Sequence, residues 1–172
     1  TNDFDIADVA NSICDKLIDR HPHIYGDVVV ENEEQVKQNW EKLKLKEGRT
    51  SVLEGVPKSL PALVKASRIQ DKVKGVGFDW EETHQVWEKV EEEIAELKVE
   101  IASNNQDKIE AEFGDVLFSM INYARFLNVN PEDALERTNK KFIKRFMYLE
   151  SKATELGKQL SDMTLAEMDV FW

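Results

Sequence analysis

Acidic side chains recur at helical spacing in two neighbouring stretches of the chain, and their chemistry suits a metal ion. The first stretch contains Glu93 and Glu96 and the second contains Glu112 and Asp115, so each pair is three residues apart. Residues at this spacing lie on one face of an α-helix. Carboxylate oxygens are the ligands that Mg²⁺ prefers in proteins. Both pairs around a bound ion could also recruit a polyphosphate through its oxygens.

The residues around Glu93 and Glu96 predict an amphipathic helix over about 80–103. Glu93 and Glu96 lie together on one flank of its apolar arc, whereas Glu92 points roughly to the opposite side. Glu93 is therefore favoured over Glu92 as a metal ligand. Because each residue of a helix turns the chain by about 100°, the apolar residues fall within a narrow arc. They are Val86, Val90, Ile94, Leu97 and Ile101.

A second amphipathic helix, predicted over about 106–127, carries the other acidic pair beside its apolar stripe. The turn between the two helices runs only from Ser103 to Asp107, so the helices should be antiparallel neighbours. Acidic residues on helices commonly form solvated surfaces instead. Like charges at this spacing are destabilising without a cation, however, and Asp115 interrupts an apolar run. Both observations favour the metal site.

The whole chain is predicted to be all-α, an antiparallel helical bundle, because Gly and Pro are scarce and apolar residues recur at helical spacings. Asp79 is expected to cap the helix at 80–103, and Pro131, which follows Asn130, is expected at the first turn of another helix. Cys14 should be a buried small hydrophobe. A set of phenylalanines should lie in the core, with some of it in a dimer seam: Phe113, Phe118, Phe126, Phe142 and Phe146. The remaining helices are predicted at about 5–20, 33–46, 60–74, 131–156 and 164–172.

Composition limits the kinds of partner that the chain can have. The net charge of −11 argues against a nucleic-acid polymer or an anionic membrane surface, since both are polyanions. A small anionic substrate remains compatible, because a metal ion screens the repulsion locally. The single cysteine, Cys14, and the lack of a long apolar run or a secretory leader predict a cytoplasmic protein without a membrane span.

Several segments together resemble one enzyme family. Glu92-Glu93-Ile94-Ala95-Glu96 and Glu112-Phe113-Gly114-Asp115 match the EExxE and ExxD signature of MazG-type nucleoside triphosphate pyrophosphohydrolases. The resemblance to that family's C-terminal domain covers about residues 58–172. It extends through Leu60-Pro61-Ala62-Leu63, Val76-Gly77-Phe78-Asp79-Trp80, Lys89-Val90, Asn139-Lys140-Lys141-Phe142 and Arg145-Phe146.

The resemblance implies an all-α, homodimeric hydrolase that depends on Mg²⁺, with Mn²⁺ as a substitute. It would cleave a nucleoside triphosphate between the α- and β-phosphates and release pyrophosphate, a reaction that suits house-cleaning of the nucleotide pool. By carry-over, the metal ligands are Glu93, Glu96, Glu112 and Asp115. Glu92 completes the catalytic set as the candidate general base, although the helical wheel turns it away from Glu93. The substrate contacts would be Lys89, Asn139, Lys141, Arg145 and Trp172.

The domain organisation follows from the same comparison of segments. Residues 1–47 resemble the end of the family's N-terminal domain without its EExxE half, residues 48–57 form a polar linker, and residues 58–172 form the catalytic domain. We therefore expect one complete site, in what reads as a fragment of a longer protein or a processed product.

Other interpretations of the residues remain open. Lys141 and Arg145 could form only a solvated basic patch, and Trp172 could be a core or dimer-interface anchor. A di-iron carboxylate bundle would need a Glu-x-x-His motif on each of two helices, whereas this chain has Glu81 three residues before His84 only once and without a partner motif. Two further alternatives are a related all-α phosphohydrolase acting on deoxynucleotides or a phosphoribosyl nucleotide, and a non-catalytic helical dimer.

Overall fold

A computed structural model describes residues 4–30, 32, 35–36, 39, 43 and 51–172. Within these residues the regular structure is helical, and no β-strand occurs. The all-α prediction is confirmed. The α-helices are α1 (Ile6–Arg20), α2 (Pro22–Tyr25), α3 (Ala62–Lys74), α4 (Thr83–Ser103), α5 (Gln106–Phe126), α6 (Pro131–Glu155) and α7 (Leu165–Asp169).

The long helices lie where the apolar spacing predicted them, with bounds shifted by three residues or fewer. Sequence reasoning missed the short helix α2 and two one-turn 3₁₀ helices, Val52–Gly55 and Leu160–Asp162, because such turns are too short to show a period. The last helix, α7, is shorter than predicted. The helix predicted at 33–46 lies mostly outside the described residues, as does the start of the predicted linker at 48–57. No described helix is long and apolar enough to span a membrane.

The helix caps show one cap that was not predicted, Asn130, and one wrong prediction, Asp79. Asn130 caps α6, since its side chain accepts hydrogen bonds from the backbone N–H groups of Glu132 and Asp133. Asp79 does not cap α4; its carboxylate accepts instead from the N–H of Trp80, at 3.0 Å. The cap of α4 is Glu82, which forms a reciprocal capping box with Gln85. The chain leaves α3 through Gly77, at a φ of 88°, and turns for several more residues before α4 begins.

The chain divides into two compact units, Thr1–Asn122 and Tyr123–Trp172, and the boundary falls within α5. In the first unit, Val86 and Val90 of α4 are fully buried, at 1% and 0% exposure. The buried Gln70 of α3 donates a hydrogen bond to the carbonyl oxygen of Phe118 on α5, at 2.8 Å. This bond ties α3 to α5, so the acidic stretch of α5 is held from a neighbouring helix as well as by its own turn.

The second unit has a small core of Leu149 and Ala153 from α6 with Met163. Its last helix, α7, begins with a capping box between Thr164 and Glu167. Lys158 pairs with Glu167 at 2.7 Å, and this contact with the Thr164 hydrogen bonds lowers the pKa of Glu167 to about 2. The carboxylate of Glu167 is therefore ionised at neutral pH, where it pairs with Lys158 and accepts hydrogen bonds from Thr164.

Several large apolar side chains are not buried within this chain. Four of the phenylalanines predicted for the core or a dimer seam are outside the core of the chain: Phe113, Phe118, Phe142 and Phe146 are between 38% and 54% exposed. Cys14 is exposed as well. In the part of the chain that the structure describes, α5 and α6 therefore carry large apolar side chains that remain exposed to solvent. Such surface is typical of a protein-protein interface.

Candidate metal centre

Helices α4 and α5 run side by side in opposite directions. Asn104 joins them in the left-handed conformation, with a φ of 55°, which reverses the chain within a short turn. Close to the turn, Lys108 of α5 pairs with Glu100 of α4 at 3.2 Å. Farther from it, Glu112 of α5 meets Glu93 and Glu96 of α4. Residues farther from the turn on α5 therefore meet residues farther from the turn on α4, as expected for antiparallel helices.

Three of the predicted ligands share one place in the structure. Glu93, Glu96 and Glu112 each offer a carboxylate oxygen, and these oxygens lie within 4.8 Å of one another. Glu93 is buried, Glu96 is exposed and Glu112 lies between. Asp115 falls outside this group, although it is close enough to repel Glu112. The cluster is thus open to solvent on one side and shielded on the other.

The carboxylates of the cluster repel one another, and this repulsion acts on Glu112. The pKa of Glu112 is raised above its ordinary value, first by loss of hydration and then by the negative charges of Glu96, Asp115, Glu93 and Glu100. A bound cation would reverse this balance by favouring the ionised form. An all-oxygen set of carboxylates suits a hard ion such as Mg²⁺ or Mn²⁺ rather than a soft one. The donor set therefore fits the metal that the sequence predicted.

Two lysines border the carboxylates. Lys89 contacts Glu93 at 2.6 Å and Glu92 at 3.2 Å, and the hydrogen bond to Glu93 raises the pKa of the lysine above its ordinary value. Sequence reasoning assigned Lys89 to the substrate and missed Lys108. The available signal for Lys108 was its position four residues before Glu112, which puts both on one helix face.

Glu92 lies apart from the three clustered carboxylates. Its side chain is 57% exposed, and its recorded partner is Lys89. This exposure agrees with the helical wheel, which turns Glu92 away from the apolar arc. A solvent-facing carboxylate can accept a proton from water.

The predicted phosphate contacts lie in the second unit. Asn139, Lys141 and Arg145 are exposed on α6. The guanidinium carbon of Arg145 lies 5.9 Å from the ring centre of Trp172, and the Phe142 ring meets the same indole edge-on at 4.9 Å. Trp172, at 43% exposure, is therefore neither a core residue nor free. It supports the guanidinium through a cation–π contact.

Comparison with known proteins decides the family. Residues 81–148 match the MazG nucleotide pyrophosphohydrolase domain. Over 98% of its length the chain is 39% identical to the nucleoside triphosphate pyrophosphohydrolase/pyrophosphatase MazG of Thermotoga maritima, and it is 39% identical to the nucleoside triphosphate pyrophosphohydrolase of Escherichia coli K12. The chain belongs to the MazG family. The resemblance given by the acidic signature is confirmed.

The MazG match includes both acidic helices and most of the predicted site. It extends over α4, α5 and the part of α6 that carries Lys141 and Arg145, but it ends before Trp172. The chain spans 65% of the Thermotoga protein and 66% of the Escherichia coli protein. It is also 47% identical to the uncharacterized protein YabN of Bacillus subtilis, of which it spans 35%.

Proposed function

We propose that this chain hydrolyses nucleoside triphosphates to nucleoside monophosphates and pyrophosphate with the help of Mg²⁺. The observation that carries the proposal is the meeting of Glu93, Glu96 and Glu112 within 4.8 Å, inside the segment that matches the MazG domain. The names of the Thermotoga and Escherichia coli relatives support the same reaction. The lone cysteine suits a reducing compartment, and we place the protein in the cytoplasm.

In this proposal the carboxylates of α4 and α5 hold the metal. Glu93, Glu96, Glu112 and Asp115 are the proposed ligands, and the raised pKa of Glu112 supports a cation at its side chain. When bound, the ion lowers the pKa of a water molecule and offsets charge on the phosphates. Glu92 is the proposed acceptor of the water proton, since its carboxylate is exposed.

The remaining contacts would bind the triphosphate. Arg145 offers a fork of N–H donors that matches phosphate oxygens, whereas Lys141 offers a point charge one helical turn before it. Lys89 and Asn139 would add a cation and an amide donor. Trp172 keeps the Arg145 guanidinium in place and presents part of its indole to solvent, where a nucleoside could stack. In-line attack on the α-phosphorus would then release pyrophosphate as the leaving group.

The first prediction concerns the product. Incubation of the chain with a nucleoside triphosphate and Mg²⁺ should release one pyrophosphate per monophosphate, measured by a coupled pyrophosphate assay and by chromatography of the nucleotides. A panel of ribo- and deoxynucleotides and a phosphoribosyl nucleotide, each with Mg²⁺, Mn²⁺ or a chelator, separates a broad enzyme from a narrower phosphohydrolase. Release of orthophosphate without pyrophosphate would refute the proposed cleavage site. If no substrate were hydrolysed, a non-catalytic helical dimer would be favoured.

The second prediction concerns assembly. We propose that the chain forms a homodimer, because Phe113, Leu117 and Met120 of α5 are between 43% and 54% exposed. Side chains of this size left in water are costly, and a partner surface would cover them. Light scattering should give twice the mass of the 19.9 kDa chain. Leu117→Glu should shift the protein to the monomer, whereas Lys98→Glu, on the exposed side of α4, should not. A monomeric wild-type chain would contradict the proposal.

A further inference from the structure

Lys89 is the shared partner of two adjacent glutamates that differ in burial. Its ammonium lies 2.6 Å from a carboxylate oxygen of Glu93 and 3.2 Å from one of Glu92. The Glu93 side chain is only 9% exposed, whereas that of Glu92 is 57% exposed. One lysine therefore joins a shielded carboxylate, which is a proposed metal ligand, to a solvated one, which is not.

Glu93 needs a counter-ion more than its neighbours do. A buried carboxylate is costly unless it is paired, and its position beside Glu96 and Glu112 adds the repulsion of like charges. Among the described residues, Lys89 is the cation in contact with Glu93. The lysine thus supplies at Glu93 the positive charge that a metal ion would otherwise supply.

The lysine and the metal ion compete for the same carboxylate. Mg²⁺ binds its oxygen ligands at about 2.0–2.1 Å and requires nearly regular octahedral geometry. An ammonium at hydrogen-bond distance from Glu93 would then lie next to the ion, and two cations this close repel strongly where water is partly excluded. Glu92 offers the lysine a second contact at a position already within reach, so the lysine can release Glu93 without losing all pairing.

We propose that Lys89 is a resident counter-ion of Glu93, that metal binding displaces it, and that Glu92 retains the lysine after displacement. This inference rests on the proposed function, because it takes Glu93 as a metal ligand. Lys89 thereby sets the affinity of the site for its ion, and the displaced ammonium becomes available to the incoming phosphates. Lys89 is in this respect a positioning residue for the metal site, in addition to any contact with substrate.

The test is a titration of the protein with Mn²⁺ or Mg²⁺ in the absence of nucleotide, by calorimetry. Lys89→Met should bind the ion about three- to tenfold more tightly than wild type, since its competitor is gone. Lys98→Met removes the same charge from an exposed position of the same helix and should change the Kd by less than about twofold. Unchanged or weaker binding in Lys89→Met would overturn the proposal. Circular dichroism of each variant shows that the helices are intact.

A double-mutant cycle tests the role of Glu92. Glu92→Gln should weaken metal binding in the wild-type background, because Lys89 then has only Glu93 as partner. In the Lys89→Met background the same change should have little effect, and this difference between backgrounds is the coupling that the proposal requires. An equal loss in both backgrounds would show that Glu92 acts only through its charge, and would refute its role as the retaining partner.

These outcomes separate the inference from the proposed function. A wild-type chain that binds the ion but releases no pyrophosphate would refute the proposed reaction and leave the competition measurable. A chain that releases pyrophosphate while Lys89→Met binds the ion no more tightly would refute only the counter-ion role. Lys89→Arg, which retains the charge, should bind the ion within about threefold of wild type.

Discussion

Glu96→Gln is expected to reduce pyrophosphate release by at least about a hundredfold while the helices remain intact, because a carboxylate that ligates the metal would be lost. The residue is exposed, so the substitution removes a charge without opening a cavity. Initial rates over a series of Mg²⁺ concentrations should show a higher requirement for the ion together with a lower kcat. Asp115→Asn should have a similar effect if Asp115 joins the site once the ion is bound.

The matched control is Glu91→Gln, which makes the same chemical change on the exposed face of α4. It should retain activity within about twofold, since an exposed carboxylate away from the site contributes little. If both Glu96→Gln and Glu91→Gln had the activity and the ion affinity of the wild type, the assignment of the metal to this cluster would be wrong. A loss of helical content in Glu96→Gln would call for Glu96→Asp, which keeps the charge and shortens the side chain.

Arg145→Met is expected to raise the KM for the triphosphate by about ten- to a hundredfold, since charge-assisted hydrogen bonds to phosphate contribute about 1.5–3 kcal/mol. The substitution keeps an unbranched apolar stem at this position, and it removes the guanidinium with its charge, its N–H donors and its cation–π contact to Trp172. Steady-state kinetics give KM and kcat, and a nucleotide titration with Mg²⁺ gives the binding constant. Arg145→Lys should recover only part of the affinity, because lysine lacks the fork.

Lys144→Met is the control for Arg145→Met, because Lys144 is an exposed cation next to Arg145 on α6. It should change KM by less than about threefold, through screened long-range attraction alone. Trp172→Ala should raise KM by about two- to tenfold, because the cation–π contact at 5.9 Å that supports the guanidinium would be lost. If Arg145→Met and Lys144→Met raised KM equally, Arg145 would belong to a general basic patch and would not be a specific phosphate contact.

The sequence was sufficient to predict the helices and the carboxylates that face one another. Apolar periodicity and a short turn determine how α4 and α5 pair, and a spacing of three residues then places Glu93 and Glu96 on the flank that meets Glu112. The same wheel turned Glu92 outward, and its side chain is 57% exposed. These features depend on local geometry, which a sequence specifies directly.

Features that depend on competition between partners were not predictable in this way. Lys89 lies three residues before Glu92 and four before Glu93, so spacing allows contact with either glutamate but does not say how the lysine divides its contacts between them. Asp79 is a residue type that often caps helices, but the chain turns for several residues after Gly77, so α4 begins at Thr83 and its cap is Glu82. The phenylalanine set shows the same limit, since an apolar stripe predicts burial without saying whether the same chain or another covers it.

The turn at Asn104 has a consequence for how the site comes into being. The clustered carboxylates all belong to one helical hairpin, so the loop that must close before they meet is short, and its entropic cost is small. Contacts of low sequence separation form early and quickly during folding. The hairpin alone can therefore bring Glu93, Glu96 and Glu112 together, before the more distant contacts of the fold have formed.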